Sequence, residues 1–332
     1  MSRQLTRTSK QSAKDGDWGE IKSFVEVKPN SGTDLAQTIA AYLGERKIKM
    51  PKGTYEVANI IPIPSDDGFL EGVGDATVVK ATAAIDAIFK NITSATLART
   101  RMMHFKLDGD NMANTGVYLG SRIGRYIDLT LANFVEYGIR LTKGGSGENG
   151  NINRIVRCQM SHCVKAAAYC HGSSYDNWYI NNYVYGNAAK TDEAGIIPSS
   201  GDKIWLNHID NVINSIKTIK GTLWICGNNL DNCGAGDCIN IAYSVAVGDI
   251  ATFLIEGNKL NVTDTYAGVR VIGVAGHLVD GVNLLGNRIT SPATPNYAII
   301  DYVNRFAANH NDIKAAMTLA QTNSTNVTEA NF

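Results

Sequence analysis

The chain has 332 residues, of which 44% are hydrophobic, so it can bury a sizeable core as one large or two ordinary domains. Thirty-one basic residues balance 31 acidic ones, and this zero net charge argues against a nucleic-acid-binding or membrane-surface protein. With 32 glycines and only seven prolines, the composition is typical of a chain with many tight turns and few rigid linkers. We therefore expect neither a nucleic acid nor a membrane as a partner.

Residues 1–20 form a polar N-terminal arm that offers almost nothing to bury. Four basic residues precede its first carboxylate, Asp15. Such a segment is disordered alone, or becomes ordered by docking on a partner. The arm has no apolar stretch of the kind a secretory signal needs, so we expect no export by the ordinary route.

An N-terminal cap is predicted for residues 21–66. It contains an amphipathic helix over 34–43, in which Leu35, Ile39 and Leu43 recur every four residues on one face. Only short strands follow the helix. This combination is suited to closing one end of an elongated β core, whose exposed edges need covering.

The six cysteines contain no C-x-x-C pair, which argues against a zinc site or a redox motif. We expect them to be small buried residues with reduced thiols; disulfides of a secreted protein are the alternative. The sequence also lacks a dense Asp cluster for calcium, and its G-x-G has no following helix to make a nucleotide site. No metal and no cofactor are expected.

Internal repetition dominates residues 67–315. Gly-Asn turns flanked by apolar residues recur about 30 residues apart, at Asn228, Asn258 and Asn287, and the series continues weakly at Asn311. A second short strand follows each turn, as in "TGVYLG", "YGIRLT", "AGIIPS", "SIKTIKG", "DCINIA", "AGVRVI" and "YAIIDY". Periods of 20 to 30 residues with alternating strands are typical of a solenoid. A polar tail, 316–332, closes the sequence.

The turn "FLIEGNKL" shows the expected coil geometry. Phe253, Ile255 and Leu260 point inward, and Gly257 permits the sharp bend. Asn258 lies inside the bend and bonds the same residue of the next coil. A ladder of such bonds would satisfy turn backbone that is otherwise buried unpaired. Coincidence of asparagine-rich surface turns is the alternative.

Four further segments carry a resemblance, namely "MPKGTYEV", "FLEGVGDATVVKA", "FKLDGDN" and the "GN-x-[IL]" turns. Together they resemble the pectate-lyase-like, single-stranded right-handed parallel β-helix superfamily, especially bacteriophage tailspikes and capsule depolymerases, over roughly 30–315. The resemblance implies an all-β, right-handed parallel β-helix. The superfamily includes lyases, hydrolases, transferases, epimerases and inactive virion proteins, many acting on acidic or complex polysaccharides. Phage members are usually homotrimers, although the short polar end here lacks their large C-terminal trimerisation domain.

Two outward faces follow from the alternation of the strands. On the strand before each Gly-Asn turn, Trp224, Leu254 and Leu285 point outward, which favours a homo-oligomer whose parallel chains cover this face. The second strand instead presents a polar, mostly basic stripe, which is either a binding surface for an extended acidic glycan or a solvated face. Its members are Tyr118, Arg140, Lys217, Asn240 and Arg270.

Carboxylates precede the same strand and line one edge of the stripe. They are Glu136, Asp192, Glu193, Asp237 and Asp264. With two coils between them, Glu193 and Asp237 would be roughly 9 to 10 Å apart, the upper limit for an inverting pair of glycosidase carboxylates. We assign these two as the candidate catalytic acid and base, and Asp192 and Asp264 as candidate substrate-binding residues. Ordinary acidic turn residues are the alternative.

The sequence therefore favours a virion protein that binds and, in the wider hypothesis, depolymerises a bacterial surface polysaccharide such as capsule, lipopolysaccharide or another acidic glycan. The N-terminal arm would dock on a virion component. A non-catalytic structural or adhesive virion protein is the first alternative. A free lyase, hydrolase or fructotransferase-like enzyme, extracellular without a conventional signal peptide, is the second. The resemblance does not choose between catalysis and adhesion.

Overall fold

Parallel β-strands account for most of the chain in a computed structural model of the protein. The chain forms two compact units, residues 1–158 and 159–332. The structure describes residues 24–27, 32–42, 47–63, 66–91, 97–141, 151–170, 175–187, 189, 192–218, 221–233, 236–242, 251–263, 266–275, 279–292, 296–314 and 317–330. The predicted arm, 1–20, lies outside the described residues.

The first unit contains, within its described residues, one helix and the strands β1 to β14. The helix, α1, spans Gly32–Tyr42. The strands are β1 (Phe24–Glu26), β2 (Lys47–Lys49), β3 (Gly53–Val57), β4 (Ile61–Ile63), β5 (Phe69–Ala81), β6 (Ile85–Asn91), β7 (Leu97–Ala98), β8 (Arg101–Asp108), β9 (Ala113–Leu119), β10 (Ser121–Arg122), β11 (Arg125–Ile127), β12 (Thr130–Phe134), β13 (Tyr137–Leu141) and β14 (Arg154–Val156).

The second unit continues with the strands β15 to β35. They are β15 (Gln159–Cys163), β16 (Ala166–Cys170), β17 (Trp178–Ile180), β18 (Tyr183–Tyr185), β19 (Ala194–Ile197), β20 (Lys203–Trp205), β21 (His208–Asp210), β22 (Asn214–Thr218), β23 (Leu223–Cys226), β24 (Asn229–Cys233), β25 (Ile239–Ala242), β26 (Thr252–Glu256), β27 (Lys259–Val262), β28 (Val269–Ile272), β29 (Gly281–Leu285), β30 (Arg288–Thr290), β31 (Asn296–Asp301), β32 (Phe306–Asn309), β33 (Asp312–Ile313), β34 (Thr318–Thr322) and β35 (Val327–Ala330).

Strand pairing makes each unit a parallel β-solenoid, as predicted. In the second unit every coil adds one strand to each of three parallel stacks, which begin at β15, β16 and β17 and advance three strands at a time. In the first unit β2, β5, β8, β11 and β14 make one stack, and β4, β6, β9 and β13 make another. The seven repeated segments read from the sequence as second strands all lie on the stacks that contain β9 or β16.

The core of the second unit consists of inward-pointing apolar side chains at matching positions of successive coils. Phe253, Ile255 and Leu260 are fully buried, as the alternation predicts. In register with Ile255 lie Ile225 on the preceding coil and Leu284 on the following one. Burial of each such side chain contributes about 1.5–3 kcal/mol to the stability of the fold. Because the coils stack in register, each of these side chains packs against apolar side chains of the neighbouring coils.

An asparagine ladder occupies the turns that lead from each strand of the β17 stack to the next strand of the β15 stack. The hydrogen bonds predicted for it are confirmed. Each side-chain Nδ2 donates to the Oδ1 of the next asparagine at 2.9–3.0 Å. The same Oδ1 accepts the backbone N–H of the preceding asparagine. The members, all buried, are Asn182, Asn207, Asn228, Asn258, Asn287 and Asn311.

The residue before each ladder asparagine adopts a left-handed backbone conformation. Gly227, Gly257 and Gly286 have φ of 66°, 62° and 61°. Leu206 and His310 adopt the same conformation, at 57° and 54°. A side chain at positive φ costs roughly 1–2 kcal/mol, which explains why glycine recurs there and shows that the ladder holds the turn even where glycine is missing.

The N-terminal helix begins and ends close to its predicted bounds. Leu35 and Ile39 are fully buried, and α1 contacts β2, β3 and β4. Leu43 lies outside the described residues. The role of the helix as a cap of the solenoid stays a prediction.

Strand pairing also extends past the predicted boundary at residue 315. β34 pairs with β31, and β35 pairs with β32, so part of the polar tail adds strands to the solenoid. The side chains of these strands are mostly exposed, which is why their sequence does not show the apolar alternation of the earlier coils.

The structure describes the side chains of five cysteines, and all five are free thiols. Cys226 is half-buried. The others, Cys158, Cys163, Cys170 and Cys238, are buried, as expected for small core residues.

Candidate functional site

The predicted polar stripe exists in each unit as side chains aligned across neighbouring strands. In the second unit Lys217 on β22 is in register with Asn240 on β25, which is in register with Arg270 on β28. All three side chains are half-buried on the outward face. The alternation of inward and outward residues in these strands therefore predicted the outward position of the three side chains correctly.

In the first unit the stripe contains Tyr118 and Arg140, together with a residue that sequence reasoning missed. Lys90 on β6 is in register with Tyr118 on β9, which is in register with Arg140 on β13. The Lys90 ammonium lies 4.8 Å from the Tyr118 ring centroid, and the Arg140 guanidinium lies 4.5 Å from it. Two cations thus approach the ring of Tyr118. In "IDAIFKN", the alternation of inward and outward residues already indicates that the side chain of Lys90 points outward.

Each cation of the stripe has a carboxylate beside it. Lys90 pairs with Asp86 at 2.6 Å within the same strand. Arg140 lies 3.8 Å from Glu136. In the second unit Lys217 donates to Glu193 at 2.5 Å, and the Glu193 side chain remains 45% exposed. Glu136 and Glu193 therefore lie at the edge of the stripe and compensate part of its positive charge.

Asp237, the partner proposed for Glu193, is held on both oxygens. Oδ1 accepts the backbone N–H of Ala267 at 2.7 Å, and Oδ2 accepts Arg270 Nε at 2.5 Å. Asn240 Nδ2 also donates to Oδ2, at 3.3 Å. Only 3% of the Asp237 side chain is exposed. This carboxylate therefore ties the turn at Ala267 to the coil before it.

Glu193 and Asp237 precede β19 and β25, with β22 between these strands. They are thus two coils apart, as predicted, which corresponds to roughly 9 to 10 Å along the stack. The assignment of the pair as catalytic acid and base stays a prediction. Asp264 lies outside the described residues.

Asp192 lines a shallow groove in the second unit with His162 and Tyr185. Burial raises the pKa of the Asp192 carboxyl, while hydrogen bonds from Asn187 and the nearby His162 oppose the rise. Asn187 donates through both its backbone N–H, at 3.0 Å, and its side chain, at 2.9 Å. The His162 and Tyr185 rings meet edge to face, with centroids 6.2 Å apart. Because only 2% of Asp192 is exposed, its carboxyl supports this groove from within the protein.

In the second unit the outward face of the stack that contains β17, β20, β23, β26 and β29 carries several apolar side chains among polar ones. Trp224 is 45% exposed and Leu285 37% exposed. Trp178 lies in contact with Trp205, with ring centroids 4.8 Å apart, and Trp205 lies 6.4 Å from Trp224. Trp178 and Trp205 thus continue the apolar face that the sequence predicted from Trp224, Leu254 and Leu285.

Among the described residues, no group of three or more His, Cys, Asp or Glu side chains is placed to hold a metal ion. Within that same part of the chain, no helix combines the length and the hydropathy that crossing a bilayer requires.

Comparison with known proteins gives similarity at the level of structure only. No protein-family model matches the sequence, and no curated protein matches it. Among solved structures, the chain is similar to the N-terminal fragment of gene product 12 of bacteriophage phi29, with a TM-score of 0.69 and 14% identity. The match covers 87% of this chain and 57% of the phage fragment, so the chain spans little more than half of that fragment.

Two further solved structures are similar to this chain over most of the length of both proteins. The A-module of a mannuronan C-5 epimerase from Azotobacter vinelandii matches with a TM-score of 0.59 and 15% identity, over 91% of this chain and 87% of that one. PfbA, a surface adhesin of Streptococcus pneumoniae, matches with a TM-score of 0.56 and 12% identity, over 92% and 91%. These similarities establish the fold, a parallel β-helix shared by a phage protein, an epimerase module and an adhesin.

Proposed function

We propose that this protein is a phage virion component of the tailspike type that binds a bacterial surface polysaccharide along the outward faces of its coils. The observation that carries the proposal is the register of the stripe, where Lys217, Asn240 and Arg270 repeat at one position on three successive strands. Polar side chains spaced by one strand, about 4.8 Å, match a ligand that is itself a repeating chain.

The similarities to solved structures support this class of ligand. A phage protein, an enzyme named for its action on mannuronan and a bacterial surface adhesin all share the fold. The proposal also includes a homotrimer and docking of the N-terminal arm on another virion component. These two features rest on the sequence resemblance and on the apolar outward face.

Hydrolysis of the bound polysaccharide is a second candidate function. Its support is the position of Glu193 and Asp237, two coils apart on the edge of the stripe, close to the separation of an inverting pair. The ion pairs with Lys217 and Arg270 favour the alternative, binding without cleavage, because cations and backbone already occupy the carboxylate oxygens.

The experiment that tests both functions incubates the full chain with capsular, lipopolysaccharide and uronate-containing glycans. Retention of the protein on a glycan measures binding, reducing ends measure hydrolysis, and absorbance of unsaturated uronates measures a lyase. We expect retention on at least one acidic glycan. Absence of retention on every glycan would refute the proposed function.

Two variants test the catalytic assignment. If hydrolysis occurs, Glu193→Gln and Asp237→Asn should each lower the release of reducing ends at least 100-fold, the size expected for loss of an acid–base group. Glu193→Gln should keep the melting temperature, because that side chain is half-exposed. Undiminished release in both variants would exclude the pair.

A further inference from the structure

Two tyrosine side chains point outward from one short strand of the second unit, on a different strand stack from the polar stripe. The strand is β18, which reads Tyr183-Val184-Tyr185. Val184 is buried, whereas Tyr183 is 42% exposed and Tyr185 is half-buried. Because successive residues of a strand point to opposite faces, both rings lie on the outer surface of the coil.

Each tyrosine ring is in contact with a histidine ring. The Tyr183 and His208 rings meet at 79° with centroids 4.9 Å apart, and the His162 and Tyr185 rings meet at 82° with centroids 6.2 Å apart. Edge-to-face contacts of this kind orient aromatic rings. His162 is exposed, and 40% of the His208 side chain is exposed. We call these four side chains the tyrosine–histidine patch.

A network of polar side chains borders the patch on the following strands. His208 on β21 is in register with Asn229 on β24, which is in register with Lys259 on β27. Asp231 Oδ2 accepts Asn229 Nδ2 at 2.5 Å and lies 3.4 Å from His208 Nε2. Asp231 Oδ1 accepts the Asn261 amide and lies 3.9 Å from the Lys259 ammonium. This carboxylate therefore holds the imidazole in place from the strand beside it.

We infer that the tyrosine–histidine patch is a second glycan site, which binds neutral sugars of a polysaccharide chain. The apolar C–H face of a pyranose packs on the exposed part of the Tyr183 ring, and its hydroxyl groups bond to the amide and carboxylate groups at the border. Rings already oriented by their histidine partners lose little conformational freedom on binding. The ligand class rests on the proposed function.

The mixture of rings and charged groups in one small area favours a sugar over a protein surface. The centre of a protein–protein interface is depleted of charged residues, whereas Asp231 and Lys259 lie beside the exposed rings. The apolar side chains at Trp224 and Leu285, on the β17 stack, form the surface suited to a protein contact.

Two carboxylates make the patch selective for neutral over acidic sugars. Asp210 on β21 is in register with Tyr185 on β18 and with Asp231 on β24. Adjacent strands are about 4.8 Å apart, so a uronate carboxylate bound here would meet like charges on two neighbouring strands. The polar stripe, with Lys217 and Arg270, presents the opposite charge. The two surfaces therefore bind different sugars.

The test measures affinity of the full chain, by titration calorimetry, for neutral oligomers of glucose, galactose, mannose and N-acetylglucosamine, with tetragalacturonate as the acidic probe. Tyr183→Ala should bind the neutral oligomer at least about fivefold more weakly, because the apolar contact with the sugar is lost. Its affinity for tetragalacturonate should not change. Tyr183→Phe keeps the ring and should retain most of the affinity. The matched control, Tyr175→Ala, removes a tyrosine that is 40% exposed in the same unit and should bind as tightly as wild type.

Three results would overturn the inference. Unchanged neutral binding in Tyr183→Ala would place the site elsewhere, equal weakening in Tyr175→Ala would show a general effect of tyrosine loss, and equal weakening for tetragalacturonate would refute the ligand class. If the wild type binds acidic glycans but no neutral oligomer, only this inference fails; if it binds no glycan, the proposed function fails too. Should Tyr183→Ala lower the melting temperature, Tyr183→Thr, which suits a strand, must still show the weaker neutral binding.

Discussion

Asp202 is a fully buried carboxyl that no sequence signal marked. It accepts hydrogen bonds from the backbone and side chain of Asn177, at 2.9 and 3.1 Å, from the backbone of Ser199 at 2.9 Å and from the Tyr179 hydroxyl at 3.2 Å. Burial nevertheless raises its pKa to about 7, against the effect of these bonds. The residue joins the loop before β20 to the preceding coil, which makes it a structural acid sensitive to pH.

Stability should fall with rising pH because of Asp202. The folded protein holds this proton up to about pH 7, whereas the unfolded chain releases it near pH 4. Between these values the folded state binds more protons, so the free energy of unfolding decreases as the pH rises. We expect the melting temperature of the wild type to drop between pH 5 and pH 8, and Asp202→Asn to drop less.

Thermal unfolding at several pH values measures this difference. The control is Asp176→Asn, in which the side chain is 59% exposed and lies beside Lys203. Parallel pH profiles for the wild type and Asp202→Asn would contradict the assignment of the raised pKa.

At the scale of elements, the asparagine ladder explains why coils of different length stack in one register. The side chain of Asn258 alone takes part in four hydrogen bonds, with the backbone and side chain of Asn228, the carbonyl of Ile225 and the side chain of Asn287. The sequence predicted this ladder because a Gly-Asn turn with apolar flanks is a local pattern. It missed Asn182 and Asn207, where the preceding left-handed residues are Asn181 and Leu206 and no glycine draws attention.

Removing one rung should destabilise the second unit markedly. Asn258→Ala removes four hydrogen bonds to three buried residues and takes the acceptor from the backbone N–H of Asn228. A buried group left without its partner costs about 1–3 kcal/mol. We expect the free energy of unfolding to fall by about 3 kcal/mol, measured by urea denaturation. Asn283→Ala, at an exposed outward position of β29, should change it by less than about 0.5 kcal/mol. Similar losses in the two variants would mean that the ladder does not bear on stability.

For the whole molecule, the apolar outward face of the second unit bears on assembly. Trp224 and Leu285 are more than one third exposed, and neighbouring tryptophans extend the surface. Apolar patches of this kind commonly mark protein contacts. A second copy of the chain in parallel orientation presents the same strands and spacing, so the homotrimer proposed above would cover the face.

We predict that the full chain sediments as a trimer. Trp224→Ser with Leu285→Ser should shift the protein toward monomer, because burial of both side chains in the contact would be lost. Val135→Ser, an equally exposed apolar residue of the first unit, is the control and should leave the mass unchanged. A monomeric wild type at micromolar concentration, measured by analytical ultracentrifugation, would contradict the trimer.

The sequence by itself determined the solenoid, its coil lengths and the direction of most side chains. These follow from local rules, since apolar alternation separates inside from outside and a Gly-Asn turn recurs within each coil. Only the tertiary structure decided which charges meet. Glu193 and Lys217 are separated by 24 residues, and Asp237 and Arg270 by 33. Coil lengths vary, and one residue of register turns a side chain to the opposite face, so these neighbours are set by the stacking of coils and not by spacing in the sequence.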